Sequence, residues 1–312
     1  MSKKNFISVL TPTYNEEENI LKICEAISDQ MKMLDYSYEH IIIDNCSTDS
    51  TLSILKELAQ KDKNLKIIVN SRNFGHIKSP IYGLMQCKGN ACILLAADFQ
   101  DPVELIPEYI KEWNKGFDIV LAQKENSDEN FVMHNLKKVF YKFINLISEV
   151  NLTMNTTGSG IFDKKIINEI KKINDPYPYF RGLISELTSN IKLIKFTQPA
   201  RKYGKTKNNL YTLYDLGILG VIKHSKIPLR LITFIGFISS FFSLIISLIF
   251  LFRKLLNWDS FDAGVAPLIV GLFFIASIQI FLLGFIGEYV MNILTHSRNM
   301  PLVIEKERIN FD

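Results

Sequence analysis

The chain has 312 residues, of which 47% are apolar, and a formal net charge of +4. This length suits one large or two modest domains and is enough to bury a core. Lys and Arg alternate with Asp and Glu through most of the sequence, which excludes bulk nucleic-acid binding. The four cysteines, Cys24, Cys46, Cys87 and Cys92, form no CxxC pair and have no histidine at zinc-finger spacing, so a disulfide framework and a structural zinc site are excluded. A reducing, cytosolic setting follows for the folded part. Residues 1–5 are polar and lead straight into an apolar run, unlike a signal peptide, so membrane insertion is expected from the C-terminal third.

Short runs rich in Ile, Val and Leu at residues 6–10, 40–43, 65–69, 91–96 and 117–121 predict buried strands. Helix-length segments lie between them, with apolar residues at helical spacing (Ile20, Ile23, Cys24 and Ile27; Leu105, Ile106, Tyr109 and Ile110). The alternation predicts an α/β fold, a mostly parallel sheet covered by helices, with its site at the C-terminal strand ends. The candidate loops are residues 11–15, 44–48, 70–75 and 97–101. Residues 135–149 carry an apolar stripe from Leu136 to Ile147 with Lys137, Lys138 and Lys142 off it; a helix lying in a membrane interface and one packed on the sheet both fit.

Residues 231–252 and 263–287 contain no charged side chain, and each exceeds the roughly 20 residues needed to span a hydrocarbon core. They predict a helical hairpin of two transmembrane spans. Lys205, Lys207, Lys223, Lys226 and Arg230 precede the pair, and His296, Arg298, Lys306 and Arg308 follow it, which places both flanks and both termini on the cytoplasmic side; Arg253 and Lys254 in the connection weaken the contrast. The expected organisation is a catalytic domain at 1–200, a basic juxtamembrane segment at 201–230, the spans at 231–290 and a cytoplasmic tail at 291–312, in a multi-pass protein of the cell membrane.

The first loop, Thr11-Pro12-Thr13-Tyr14-Asn15-Glu16-Glu17-Glu18, opens a helix. Asn15 is expected to cap it, and the glutamates suit its positive end while repelling phosphate. A nucleoside is better tolerated, with the Tyr14 ring as a platform and a carboxylate accepting from base or ribose. In Asp44-Asn45-Cys46-Ser47-Thr48-Asp49, Asp49 is expected to cap the next helix, leaving Asp44 for a nucleoside. In Ala96-Ala97-Asp98-Phe99-Gln100-Asp101-Pro102-Val103-Glu104, the spacing of Asp101, Pro102 and Glu104 predicts a capping box. Asp98 and Gln100 instead offer oxygens at alternate positions, suited to a Mg²⁺ or Mn²⁺ ion bridging a diphosphate. The 201–207 loop, Arg201-Lys202-Tyr203-Gly204-Lys205-Thr206-Lys207, can close over a diphosphate and offset charge on a leaving group. Arg181 is a further candidate for a phosphate, with Lys205 beside it in that role, and His76 is read as a surface histidine.

In this order and at these distances the motifs resemble family 2 glycosyltransferases of GT-A fold. The likeness extends to the polyprenyl-phosphate branch that includes dolichol-phosphate mannosyltransferases and bacterial membrane glucosyltransferases. Pro12, Tyr14, Glu16 and Asp44 match that family's nucleotide-binding positions, Arg72-Asn73-Phe74-Gly75 its next loop, and residues 98–102 its DxD-LQDPP segment. The resemblance covers nearly the whole chain, including 201–207, Pro228-Leu229-Arg230 and the apolar pair. The chain departs from the pattern at Ala96, where the family has the first aspartate of Asp-x-Asp, and at Thr156-Thr157-Gly158-Ser159-Gly160, which offers no carboxylate as a general base.

The resemblance implies a membrane-bound inverting hexosyltransferase that moves a sugar from a nucleotide-sugar, expected to be a UDP-sugar, to polyprenyl phosphate at the cytoplasmic face. Tyr14, Glu16, Pro12, Asp44 and Arg72 would hold the nucleotide, Asp98 and Gln100 the cation, and Arg201 and Lys207 the phosphates. Two alternatives stay open: transfer to a lipid-linked saccharide in cell-envelope polysaccharide assembly, and a non-catalytic membrane subunit with a degenerate DxD. A homo-oligomer is also left open.

Overall fold

The β-branched runs form strands because their side chains can be buried on both faces of a sheet that carries helices above and below. The structure is a computed structural model that describes residues 6–125, 156–173, 175–176, 178–199, 227–256, 265–298 and 300–311. In chain order the elements are β1 (Phe6–Thr13), α1 (Ile20–Lys32), β2 (Ser37–Asp44), α2 (Thr51–Lys61), β3 (Leu65–Asn70), α3 (Gly75–Gln86), β4 (Ala91–Leu94) and a 3₁₀ turn (Val103–Leu105). Next come α4 (Ile106–Asn114), β5 (Ile119–Lys124), β6 (Thr156–Asp163), α5 (Lys164–Lys172), α6 (Phe180–Leu187) and β7 (Ile191–Phe196). The chain ends with α7 (Ile227–Leu256), α8 (Val265–Ser297) and β8 (Glu305–Ile309).

The eight strands of the described residues make one sheet in the order β7-β5-β6-β4-β1-β2-β3-β8. β6 runs antiparallel to β4 and β5, β8 runs antiparallel to β3, and the remaining pairings are parallel. The sheet is therefore mixed but mostly parallel, as the alternating pattern predicts. Alternate strand residues feed two cores. Ile7, Val9, Ile42 and Ile67 pack with α1, α2 and α4 on one face. Leu10, Ile41, Ile43 and Ile68 pack with α3, α5 and α6 on the other.

From β1 the chain winds outward to β2 and β3, then crosses back to β4 on the other side of β1, so the switch point lies between β1 and β4. The C-terminal ends of β1 to β5 and β7, and the N-terminal ends of β6 and β8, share one edge of the sheet. Gly160 is required where β6 crosses β5: its φ is +156°, and a Cβ there would stand 2.0 Å from the Val120 carbonyl oxygen.

Helices α7 and α8 have 30 and 33 residues, or roughly 45 and 50 Å at 1.5 Å per residue. Within α8, Phe274–Ser297 has a mean hydropathy of 1.8 and none of it is buried in the protein, so it is long and apolar enough to cross a membrane. Residues 135–149 and 201–226 lie outside the described residues, and with them the amphipathic stripe and the basic loop.

β8 returns the chain to the sheet. Its first residue, Glu305, pairs with Asn70 at the C-terminal end of β3, and the Ser71 N–H donates to the Ile304 carbonyl at 2.9 Å. Val303 is buried and Leu302 packs on the α3 face of the core. β8 is held at its sides as well: Lys56 bridges Glu307 at 2.7 Å, and Arg308 donates to Gln86 at 2.9 Å and to Glu305. Asn310, at φ +61°, donates to the carbonyls of Ala59 and Leu65, each at 2.8 Å.

Candidate active site

Four loops meet at the C-terminal edge on adjacent strands β4, β1, β2 and β3; hydrogen bonds brace the last three against one another, and the β4 loop is tied to β6. Asn15 takes a left-handed φ of +55°. Its N–H donates to the Ser47 hydroxyl at 2.9 Å, its amide oxygen accepts from the Thr48 N–H at 2.8 Å, and the Glu16 N–H donates to the Thr51 hydroxyl at 2.9 Å. Asn15 therefore does not cap α1, as its sequence position suggests; the helix begins at Ile20 behind Asn19, and the Asn15 side chain ties the β1 loop to the β2 loop. Glu16 turns back to accept from the Asn19 amide at 2.8 Å. α2 begins behind Ser50 with no side-chain cap, so Asp49 is not its cap residue; it stands one position further out, accepting from the Thr51 N–H at 3.0 Å and from the Glu17 N–H at 3.3 Å.

Asp44 is fully buried, and both of its oxygens are engaged by Ser47, from the hydroxyl at 2.5 Å and the N–H at 3.1 Å. Burial pushes its carboxyl above the ordinary carboxylate value, against the Ser47 hydrogen bonds. Asp44 thus acts on the loop edge through Ser47, which in turn fixes Asn15.

The neighbouring Asn45 is a hub that sequence reading passed over. Its amide oxygen accepts from the Asn70 side chain and the Phe74 N–H, both at 2.9 Å, and its amide nitrogen donates to the Asn73 side chain at 2.8 Å and the Gly75 carbonyl at 3.3 Å. Its own N–H donates to the Thr13 carbonyl at 2.9 Å, so one side chain and its backbone link the β1, β2 and β3 loops. Above this hub the exposed Arg72 guanidinium stacks 4.2 Å from the Phe74 ring centroid. The only signal for Asn45 in the sequence is a second polar residue behind Asp44 at a strand end. His76 is exposed in the first turn of α3.

After β4, the partly exposed Asp98 and Gln100 flank Phe99, whose φ of +56° is a left-handed conformation costing roughly 1–2 kcal/mol for a residue with a side chain. The Gln100 N–H donates to Asp98 at 3.2 Å, and the Phe99 ring packs on the core. Asp101 departs from its expected role. The 3₁₀ turn starts behind Pro102 with no side-chain cap; the Asp101 carboxylate, 4% exposed, accepts a hydrogen bond from the buried Ser159 hydroxyl on β6. The reason is steric order: the turn at Phe99 swings Asp101 toward the 156–160 strand before the helix begins.

Asp98 and Gln100 provide one carboxylate and one amide oxygen, and among the described residues no group of three or more His, Cys, Asp or Glu gathers as a metal cluster. This donor set fits a Mg²⁺ or Mn²⁺ ion that takes most of its ligands from a substrate's phosphates. The structure brings Pro12, Tyr14, Glu16, Asp44, Arg72, Asp98 and Gln100 to one edge of the sheet. Arg181 lies apart from them in the sequence, in the first turn of α6, while Arg201, Lys205 and Lys207 fall outside the described residues.

The sheet is mostly parallel with helices on both faces, and the Asp98-bearing turn sits at its switch point, where open α/β sheets bind their ligands. Residues 8–171 match the family model "Glycosyl transferase family 2". The chain is 32% identical to an uncharacterized glycosyltransferase of Synechocystis over 96% of its own length and 94% of that protein. It is 28% identical to the bactoprenol glucosyl transferase of Shigella phage SfV, with 96% and 98% covered. Among solved structures, glucosyl-3-phosphoglycerate synthase from Mycobacterium tuberculosis, in complex with Mn²⁺, UDP-glucose and phosphoglyceric acid, superposes with a TM-score of 0.50 at 16% identity, covering 70% of this chain and 78% of that one. The chain belongs to glycosyl transferase family 2, and it is a glycosyltransferase.

Proposed function

We propose that this enzyme transfers a sugar from a nucleotide-sugar, a UDP-sugar in our reading, to polyprenyl phosphate at the cytoplasmic membrane surface. The observation that carries the proposal is the pairing of β8 with β3. Only eight residue steps separate Ser297, the last residue of α8, from Glu305 at the site edge, a reach of at most about 29 Å. If α8 crosses the bilayer, this tie holds the donor site close to the lipid headgroups, where a prenyl phosphate presents its charge. The bactoprenol-acting relative supports the same acceptor.

In this reading Tyr14 and Glu16 receive the nucleoside together with Pro12, Asp44 shapes their loop through Ser47, and Arg72 faces the nucleotide. Asp98 and Gln100 hold the cation, which when bound neutralises charge on the diphosphate. Arg201 and Lys207 assist at the diphosphate, and Lys205 and Arg181 meet the acceptor phosphate. An acceptor phosphate oxygen attacks the anomeric carbon as the bond to the diphosphate oxygen breaks on the opposite face, which inverts the centre. Catalysis then rests on alignment and charge stabilisation.

No base is required, because a phosphate monoester with a second pKa near 6 is largely ionised at neutral pH. Asp101, which lies against the 156–160 strand, is committed to Ser159. That favours a phosphate acceptor over a sugar hydroxyl, which would need a free base. The test is transfer by membranes containing the protein, given polyprenyl phosphate and a panel of labelled nucleotide-sugars, each with and without chelator. Absence of labelled prenyl-phosphate sugar with every donor overturns the proposal.

A further inference from the structure

We propose that Asp101 is a positioning residue that holds the Asp98–Gln100 turn in its donor-binding shape by anchoring it to β6 through Ser159. This rests on the donor reading above. The turn leaves β4 at the switch point and bends at Phe99 through a left-handed conformation, which persists only when its surroundings hold it. On its near side the turn is closed by the Gln100 N–H on Asp98 at 3.2 Å. On its far side the anchor is the Asp101 carboxylate, accepting from the hydroxyl of Ser159, a residue itself only 4% exposed, with the Thr157 side chain of the same strand also beside it. Ser159 is fixed in turn, since its N–H donates to the Thr157 hydroxyl at 3.3 Å and it sits between Gly158 at φ +91° and Gly160 at φ +156°.

The cost of this arrangement marks it as more than packing. The second Asp101 oxygen, Oδ1, is buried with no hydrogen-bond partner among the described residues, as is the Tyr109 hydroxyl. A protein that needed only a folded turn would do as well with an apolar side chain here. With Ala96 two residues ahead of Asp98, the turn has Asp98 as its one partly exposed carboxylate, so its geometry depends on where that side chain is held.

The test uses the full chain in detergent micelles. UDP binding is titrated with and without Mn²⁺, and hydrogen exchange is followed in peptides covering 97–101 and 156–160, for wild type, Asp101→Ala, Asp101→Asn and Ser159→Ala. Loss of a hydrogen bond to a charged group predicts Mn²⁺-dependent UDP affinity lower by about 10-fold or more in Asp101→Ala and Ser159→Ala, with faster exchange in both peptides. Metal-free UDP binding stays at the wild-type level, which general unfolding would not allow. Asp101→Asn keeps an oxygen for Ser159 and is expected to restore most of the affinity. Wild-type Mn²⁺-dependent binding in Asp101→Ala overturns the proposal, as does an Asp101→Asn defect equal to that of the alanine, which would make the charge itself the functional element. If Asp101→Ala does not fold, Ser159→Ala decides alone. If the wild type binds no UDP, the donor reading fails, and unchanged exchange in Ser159→Ala then overturns the positioning role separately.

Discussion

Replacing Asn45 with alanine removes four side-chain hydrogen bonds at once. Two of the former partners keep a second contact: Asn70 still donates to Ser79 at 3.1 Å, and Asn73 still accepts from the Gly75 N–H at 2.8 Å. The Phe74 N–H and the Gly75 carbonyl lose their Asn45 partner. An orphaned buried polar group costs about 1–3 kcal/mol and a retained but weakened one less, so the substitution should destabilise the catalytic domain by about 2–4 kcal/mol. For a domain of this size that is a fall in Tm of about 5–15 °C. Thermal unfolding in detergent, followed through tryptophan fluorescence, measures it, because Trp113 is fully buried beside Tyr109 in the core. Asn45→Asp should be at least as damaging, since its second oxygen would face the Asn73 oxygen and the Gly75 carbonyl. A Tm shift below about 2 °C for Asn45→Ala would refute the hub.

Three further outcomes can be checked. His40, buried against the Thr11 hydroxyl at 3.0 Å, has its pKa pushed down by burial to about 3 from an ordinary 6.5. The unfolded chain then binds the proton first, so stability is complete above pH 6.5 and falls as the pH drops toward 3, by roughly 2 kcal/mol between pH 7 and 5; denaturation midpoints in His40→Gln should lose this slope, and an unchanged slope would place its origin elsewhere. Gly160→Ala drives a Cβ into the Val120 carbonyl and should abolish folded protein on size exclusion, whereas Gly236→Ala, with open space around it, should elute as wild type. Deleting residues 305–312 bares the β3 edge and removes the Asn310 contacts, and light scattering should show more self-association than in the intact chain.

The five apolar runs all became strands, because continuous Ile, Val and Leu with turn residues at both ends have few other ways to be buried. Their ends moved: β1 runs on to Thr13, β5 to Lys124, and β4 stops at Leu94. β7, Ile-Lys-Leu-Ile-Lys-Phe, carries four apolar residues in six and was open to the same reading, but the other two late strands gave no such signal. β6 contains two glycines and β8 is Glu-Lys-Glu-Arg-Ile, a charged edge whose pairing depends on backbone and long side chains rather than on apolar alternation. At the site, the residue types at strand ends were readable, but their partners were not. Asn15 and Asp101 both carry the local spacing of helix caps, yet each is claimed by a donor more than thirty residues away, the Thr48 N–H in one case and the Ser159 hydroxyl in the other. Local hydrogen-bond rules lose to tertiary partners where a positive-φ residue redirects the chain.

The seat of β8 also sets an order of events during synthesis. Asn70 waits for Glu305, 235 positions later, before the β3 edge is closed. At roughly 5–20 residues per second the ribosome needs about 12–47 s to make that partner, and in that interval it also makes α7 and α8. The nascent sheet therefore stands with one open flank while the apolar helices emerge, and the last strand can be laid down only after they are complete. The enzyme's final folding step becomes a check that its whole C-terminal third has been made.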